Sequence, residues 1–159
     1  MKVAIGSDHA GFELKEYLKK NLKESGYDLI DVGTDTEASV DYTDFGLKVA
    51  KLVSEKAVDR GVLVCGTGGG MSITANKVKG VRAILVQDLY VAMQSRKHLD
   101  TNILVLGGRV IGKGLAEALC FDDEWGFHVI GNYYVFVFEE SINRRISFFI
   151  RYRWQIGML

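Results

Sequence analysis

A glycine-rich segment, Cys65-Gly66-Thr67-Gly68-Gly69-Gly70, carries the clearest chemical signal in the sequence. Its glycines follow an apolar run and let the backbone turn tightly, so that successive N–H groups can face an anion. The segment lacks the Gly-Lys-Ser/Thr ending of a nucleotide-binding P-loop, and Met71 stands where a dinucleotide-binding fingerprint needs glycine. The loop is therefore predicted to hold a small oxyanion, and a plain strand-to-helix turn is the alternative.

Cys65 is expected to end a strand and to precede the N-terminus of a helix. The helix dipole and the loop amides favour a thiolate there, which can act as a nucleophile or as a base. The alternative is a buried structural cysteine. We assign that structural role to Cys120, because it lies on a predicted helix with no glycine loop beside it.

The histidines differ in the chemistry that their neighbours allow. Asp8-His9 joins a carboxylate to an imidazole after the first predicted strand, a pair that can transfer protons or bind phosphate. His98 lies in a charged segment and by itself is typical of a solvated surface residue, and no role is predicted for His128. No close Cys/His spacing is present in the sequence, so no metal site is predicted.

Apolar runs alternate with amphipathic stretches along the first 120 residues. The predicted strands are 3–5, 29–32, 61–65, 81–86 and 102–106, and the predicted helices are 12–22, 45–56, 71–78, 89–98 and 111–120. Strands that alternate with helices predict a parallel sheet covered on both faces, with its ligand at the carboxyl ends of the strands. Asp8, His9 and the loop after Cys65 are predicted to lie at those ends.

Length and composition limit the class of protein. The chain has 159 residues, 48% of them hydrophobic, and its 20 basic residues balance its 20 acidic ones. It is long enough for one α/β domain, and it has no excess of positive charge for a nucleic-acid backbone. No stretch approaches the roughly 20 apolar residues that span a bilayer, and the N-terminal apolar run is too short for a secretory signal. A cytoplasmic protein with free thiols is expected.

Segments at 5–12, 40–42, 65–77, 81–83 and 101–112 stand in a specific order and spacing. Together they resemble the ribose-5-phosphate isomerase B family, which also includes the galactose-6-phosphate isomerase subunits. The likeness covers about residues 1–118. It implies a Rossmann-like three-layer α/β/α sandwich with a five-stranded parallel sheet. It also implies a homodimer or tetramer with active sites between subunits, and no metal or organic cofactor.

The resemblance implies an aldose–ketose isomerase that interconverts ribose 5-phosphate and ribulose 5-phosphate through a cis-enediolate. Cys65 would be the base, with Thr67 hydrogen-bonding near it. The partner's His98 would open the furanose ring, assisted by Asp8.

Further substrate contacts are implied by the same resemblance. His9 would contact the sugar, and Arg109 would contact the phosphate. Leu99 stands where the family usually has an asparagine in the substrate site, so one polar contact is lost or supplied otherwise. The enediolate oxygens would be held by the glycine loop, comprising Gly66, Thr67, Gly68, Gly69 and Gly70.

The amino-acid composition changes after the predicted domain of residues 1–120. Residues 121–159 hold 11 of the 17 aromatic residues and no lysine. They lack the Gly-Gly-Arg-His segment and the further phosphate-binding arginine of the family. Strand-like patterns occur at 133–138 and 146–154. We interpret this region as a divergent C-terminal tail rather than an independent domain, arising from a lineage-specific extension or from a shifted reading frame.

Three alternatives to an active ribose-5-phosphate isomerase remain at this point. The first is an isomerase of a six-carbon aldose phosphate. The second is a sugar-phosphate-binding protein that has lost catalysis together with its phosphate-binding tail. The third is a redox-sensing module that works through Cys65.

Overall fold

Helices and strands alternate through the computed structural model, which describes residues 1–121, 134–138 and 147–151. The first five strands are β1 (Lys2–Ser7), β2 (Asp28–Asp31), β3 (Arg60–Cys65), β4 (Ala83–Leu85) and β5 (Ile103–Gly107). The helices are α1 (Phe12–Glu24), α2 (Tyr42–Ser54), α3 (Gly69–Ala75), α4 (Leu89–Leu99) and α5 (Lys113–Cys120). Each of these elements coincides with one predicted from the hydrophobic periodicity.

These five strands form one parallel sheet in the order β2-β1-β3-β5-β4. The chain leaves β1 toward β2 on one side and later places β3 on the other side. The strand order therefore reverses between β1 and β3, and the crevice outside their carboxyl ends is where open α/β sheets bind ligands. The predicted five-stranded parallel sheet is confirmed.

The helices lie on both faces of the sheet, as right-handed crossovers require. One face packs against α1, α4 and α5 through buried side chains that include Leu18, Ala92 and Leu119. The other face packs against α2 and α3, with Val49 and Met71 at its centre. Full burial of each large apolar side chain contributes about 1.5–3 kcal/mol. The three-layer α/β/α sandwich is thus held together from both sides of one sheet.

Some element boundaries differ from the predicted ones for local polar reasons. Helix α2 begins earlier than predicted, at Tyr42, because the carboxylate of Asp41 accepts a hydrogen bond from the N–H of Thr43 at 2.9 Å. Strand β4 is shorter than predicted. Its neighbour Arg82 instead donates its N–H to the side chain of Asn102 at 2.8 Å. Side-chain hydrogen bonds of this kind leave no trace in hydrophobic periodicity.

The chain divides into two compact units, Met1–His128 and Val129–Leu159. The second unit contains strands β6 (Tyr134–Phe138) and β7 (Ser147–Arg151), which pair in antiparallel fashion with Phe136 opposite Phe149. Both strands fall within the strand-like patterns of the sequence. His128 lies outside the described residues. Among the described residues, no helix is long and apolar enough to cross a membrane.

Candidate active site

Asp8 lies where β1 ends, beside the end of β3. Its carboxylate accepts a hydrogen bond from the N–H of Gly11 at 3.0 Å, and its side chain is buried. Gly11 brings the start of α1 directly against β3, because a Cβ built there would lie 2.3 Å from the carbonyl oxygen of Val64. The close approach of these two elements fixes the carboxylate at the switch point of the sheet.

His9 is held in one orientation by the loop that follows β2. Its Nδ1 accepts a hydrogen bond from the backbone N–H of Val40 at 3.2 Å. The neutral imidazole must then carry its proton on Nε2. His9 is half-buried and lines a cleft, so it can offer that N–H group to an oxygen of a ligand.

Cys65 ends β3 and is buried, with 4% of its surface exposed. Its carbonyl oxygen accepts a hydrogen bond from the N–H of Gly108 at 2.8 Å, and that of Gly66 accepts one from Arg109 at 3.0 Å. The end of β3 is thereby tied to the turn after β5. The thiol lies in the position predicted for it, between a buried strand and the glycine loop.

The glycine loop has a backbone shape that only glycine tolerates at one position. Gly68 has φ +84°, and a Cβ there would lie 2.3 Å from Cδ1 of Leu85. Thr67 is exposed, and its hydroxyl oxygen accepts a hydrogen bond from the N–H of Gly69 at 3.4 Å. Helix α3 follows directly, so the loop is both a tight strand-to-helix turn and a run of amides at the mouth of the sheet.

A cleft of about 430 Å³ opens beside this loop. Among its lining residues are His9, Glu13, Glu37, Arg109 and Lys113. The cleft borders the glycine loop, because a Cβ on Gly66 would lie 3.5 Å from Cβ of Ala10 and 3.9 Å from Cδ of Arg109. The structure therefore brings His9 and Arg109 together next to the loop that follows Cys65.

His98 and Leu99 lie elsewhere, at the C-terminal end of α4. Both side chains are exposed, and neither lines the cleft within this chain. The end of α4 is fixed by Asp100, whose carboxylate accepts hydrogen bonds from Arg96 at 3.1 Å and Arg82 at 2.6 Å. The hydrogen bond from Arg96, together with the charge of Arg82, lowers the pKa of Asp100.

The thiol of Cys120 differs from that of Cys65 in its surroundings. Cys120 is fully buried in the layer of α1, α4 and α5, and burial raises the pKa of its thiol to about 12. It therefore stays protonated at neutral pH, as the predicted structural role requires. In the part of the chain that the structure describes, no cluster of three or more His, Cys, Asp or Glu side chains could hold a metal ion.

The sequence and fold of this chain have close counterparts among known proteins. The profile of a family described as Ribose/Galactose Isomerase matches residues 3–125. The chain belongs to this family. The ribose-5-phosphate isomerase B of Escherichia coli is 44% identical over 124 residues, which cover 78% of this chain and 82% of the relative.

Solved structures agree with the family assignment. That of the Clostridium thermocellum ribose-5-phosphate isomerase B superposes with a TM-score of 0.76 at 52% identity, covering 79% of this chain and 83% of that one. The Mycoplasma genitalium ribose-5-phosphate isomerase B, solved with bound ribulose-5-phosphate, gives 0.73 at 36% identity, covering 78% and 82% of the two chains. The predicted family and fold are confirmed, and the chain is an aldose–ketose isomerase.

Sequence reasoning missed three charged residues of this isomerase that line the cleft: Glu13, Glu37 and Lys113. Glu13 and Lys113 each lie in the first turn of a helix that follows a parallel strand. Their places in the sequence, at the start of predicted helices, could have indicated Glu13 and Lys113, because helices after parallel strands begin at the ligand-binding edge of the sheet.

Proposed function

We propose that this isomerase interconverts ribose 5-phosphate and ribulose 5-phosphate, with Cys65 as the base. The observation that carries the proposal is the placement of Cys65 at the end of β3, at the switch point and directly before the glycine loop, whose Gly66 adjoins Arg109 of the cleft. Relatives named for this substrate support the choice of sugar. A reduced, cytoplasmic setting suits a reaction that needs a free thiol, and both cysteines are unpaired.

The proposed reaction moves hydrogen within one molecule. The thiolate of Cys65 removes the proton from C2 of the open-chain aldose, and the electron pair forms the C1–C2 double bond of a cis-enediolate. The proton then returns to C1 while the hydroxyl proton of C2 moves from O2 to O1, so that C2 is oxidised to the ketone and C1 is reduced to the alcohol. No external oxidant or reductant is required.

The negative charge of the enediolate needs donors that are already in place. Backbone amides of the loop from Gly66 to Gly70 are proposed to supply them, since a preorganised set of N–H groups stabilises charge as it develops. Thr67 has an exposed hydroxyl beside these amides, which supports its proposed role of hydrogen-bonding near the reacting oxygens.

Ring opening is proposed to use a second subunit. Asp8 is fixed at the switch point, whereas His98 is exposed at the end of α4 and outside the cleft of its own chain. An exposed histidine can reach the site of another copy, so the partner's His98 would open the furanose ring with help from Asp8. The isomerase would then act as a homodimer or tetramer with shared sites, and Leu99 would adjoin the sugar without a polar contact.

The family description also includes galactose, so an isomerase of a six-carbon aldose phosphate is the second candidate. The two candidates share the proton-transfer chemistry and differ in the length of the sugar. Cys65 favours the ribose substrate, because the resemblance includes one galactose-6-phosphate subunit type that lacks this cysteine. Assaying both sugar phosphates side by side separates the two.

The decisive experiment compares Cys65→Ala with Cys120→Ala in a coupled assay for ribulose 5-phosphate. The first substitution is expected to lower kcat by about 10²–10⁴-fold, because it removes the base. It should leave the fold and the binding of ribose 5-phosphate intact. The second removes an equally buried thiol that stays protonated, and turnover should persist. Undiminished turnover by Cys65→Ala would rule out the proposed base, and binding without turnover by the parent chain would indicate a non-catalytic binding protein.

A further inference from the structure

Lys113 is a charged residue of the cleft to which the proposed mechanism gives no role. It is the first residue of α5 and lines the cleft together with His9 and Arg109. Its Nζ lies 2.7 Å from Oε1 of Glu13 and 5.7 Å from the centre of the Tyr17 ring. The ammonium group is therefore held at the wall of the cleft by α1.

The ion pair between Lys113 and Glu13 is open to solvent. Half of the Lys113 side chain and 78% of the Glu13 side chain are exposed. Exposed pairs of this kind contribute little to stability, because water competes for both charges. The hydrogen bond and the charge of Lys113 lower the pKa of Glu13, so its carboxylate is ionised at neutral pH. Lys113 thus has a weakly held partner that a stronger anion can replace.

The charges of the cleft favour such an exchange. Among the residues that line the cleft, Glu13 and Glu37 carry two negative charges and Arg109 and Lys113 carry two positive ones, so these charges cancel. A phosphate ester near neutral pH carries close to two negative charges, more than Arg109 alone compensates. Turning the long side chain of Lys113 from Glu13 toward the phosphate would supply a second positive charge.

We propose that Lys113 is a phosphate contact of this isomerase, and that Glu13 holds its ammonium group while the site is empty. The inference rests on the proposed function for the identity of the phosphorylated ligand. It assigns to Lys113 a role in affinity and in the preference for phosphorylated over unphosphorylated sugars. No bond is made or broken in this step, since the ammonium group only exchanges one anion for another.

The test compares Lys113→Met with Lys20→Met. Lys20 lies on α1, 73% exposed and 3.9 Å from Glu24, and it is not among the residues that line the cleft. Both substitutions remove one positive charge, so general electrostatics is matched. Lys113→Met should raise KM for the sugar phosphate about tenfold or more and leave kcat near that of the parent chain. Lys20→Met should change neither constant.

Glu13→Gln provides a second variant with the opposite expectation. Removing the competing carboxylate should lower KM. A third variant, Lys113→Arg, keeps the positive charge that Lys113→Met removes, so its KM should stay near that of the parent chain. Inorganic phosphate, titrated by calorimetry, gives a readout that needs no turnover. If the parent chain binds phosphate and Lys113→Met binds it at least about tenfold more weakly, the inference stands even where the proposed sugar is wrong.

Several results would overturn the inference. One is an equal effect of Lys113→Met and Lys20→Met on KM and on phosphate binding. A second is a fall in kcat with KM unchanged, which would place Lys113 in the chemistry rather than in phosphate binding. A third is weaker binding by Glu13→Gln, because the carboxylate would then help the ligand rather than compete with it.

Discussion

At the scale of single residues, Lys15 is the least expected feature of this isomerase. It lies on α1 among other lysines and glutamates, yet only 1% of its surface is exposed. Its Nζ donates to the carboxylate of Asp31 at 2.9 Å and to the carbonyl oxygen of Thr34 at 2.8 Å. These bonds tie the chain after β2 to α1, and that chain continues to Val40, whose N–H orients His9.

The carboxylate of Asp31 is expected to make stability depend on acidity. Partial burial raises its pKa, but hydrogen bonds from Lys19, Lys15 and Gly33 outweigh burial, and the net pKa is lowered. A lowered pKa in the folded state stabilises the fold above the unfolded pKa of about 3.9. That contribution is lost as the pH falls through the lower, folded value.

Asp31→Asn should therefore reduce the free energy of unfolding by about 1–3 kcal/mol at neutral pH. The difference from the parent chain should shrink in acid, as the pH falls from the unfolded pKa of about 3.9 through the lower folded pKa and the parent carboxylate also becomes protonated. Urea unfolding of both chains at neutral pH and at acid pH measures this difference in stability. Glu24→Gln, on a carboxylate that is 64% exposed, is the control and should have little effect. An equal loss at both pH values would mean that ionisation of Asp31 is not the cause.

The sequence predicted the residues whose chemistry is visible in their neighbours, but not those defined by tertiary contacts. Cys65 and Asp8 could be found because Cys65 ends a buried strand and Asp8 directly follows one. Lys15 could not, because a lysine among other lysines and glutamates is expected to be solvated, although it lies on the same face of α1 as the buried Leu18 and Leu22. Lys113 and Glu13 lie far apart in the sequence, and no local pattern indicates that they meet.

At the scale of elements, the contact between α1 and β3 positions the site. Gly11→Ala should place a Cβ where the carbonyl oxygen of Val64 stands, forcing the helix away from the strand. We expect a loss of about 1–3 kcal/mol in the free energy of unfolding, as for overpacked interiors. A drop in isomerase activity should accompany it, because the N–H of Gly11 also holds Asp8.

Gly114→Ala is the matched control for this prediction. A Cβ at Gly114 meets no atom within 4 Å, and the residue lies in α5. Alanine favours helix over glycine, so the free energy of unfolding should stay constant or rise by up to about 1 kcal/mol. Thermal and urea unfolding of both variants make the comparison. Equal stability of the two would show that the close approach at Gly11 is not required.

The existence of each element was predictable, whereas several boundaries were not. Helix α3 begins at Gly69, earlier than its apolar residues indicate, because the N–H of Ser72 already bonds to the carbonyl oxygen of Gly68. Glycines carry no hydrophobic signal, so periodicity cannot register them as helical. The order of the strands was also beyond reach, since the core strands are similarly apolar and local pattern does not say which neighbours pair.

At the scale of the whole molecule, the proposed sharing of sites between subunits has a direct test. Cys65→Ala and His98→Ala chains, each expected to be inactive alone, are mixed, unfolded and refolded together. In a mixed dimer one site would have lost both groups, and the other would combine an intact Cys65 with the partner's His98.

Random pairing should then restore about a quarter of the parent activity, since half of the dimers are mixed and each has one intact site. The coupled assay for ribulose 5-phosphate measures the recovery. Refolding each variant with itself is the control and should give none. If the mixture stays inactive although analytical ultracentrifugation shows dimers, the two groups do not meet across an interface.

The C-terminal region keeps its proposed status as a tail rather than a domain. The two strands described there, β6 and β7, form a sheet of their own. An isolated two-stranded hairpin is marginally stable in water. A self-sufficient folded unit would need more apolar burial than the two described strands supply by themselves.

Asn76 has a consequence for how the protein behaves in a crowded solution. Its side-chain amide donates to the carbonyl oxygen of Ala83 at 2.7 Å and accepts from the N–H of Ala83 at 2.9 Å. Ala83 begins β4, an edge strand whose unpaired groups could otherwise recruit a strand from another molecule. One asparagine thus occupies both groups, in the way that a neighbouring strand would. The same amide that closes α3 therefore protects this edge of the sheet against aggregation.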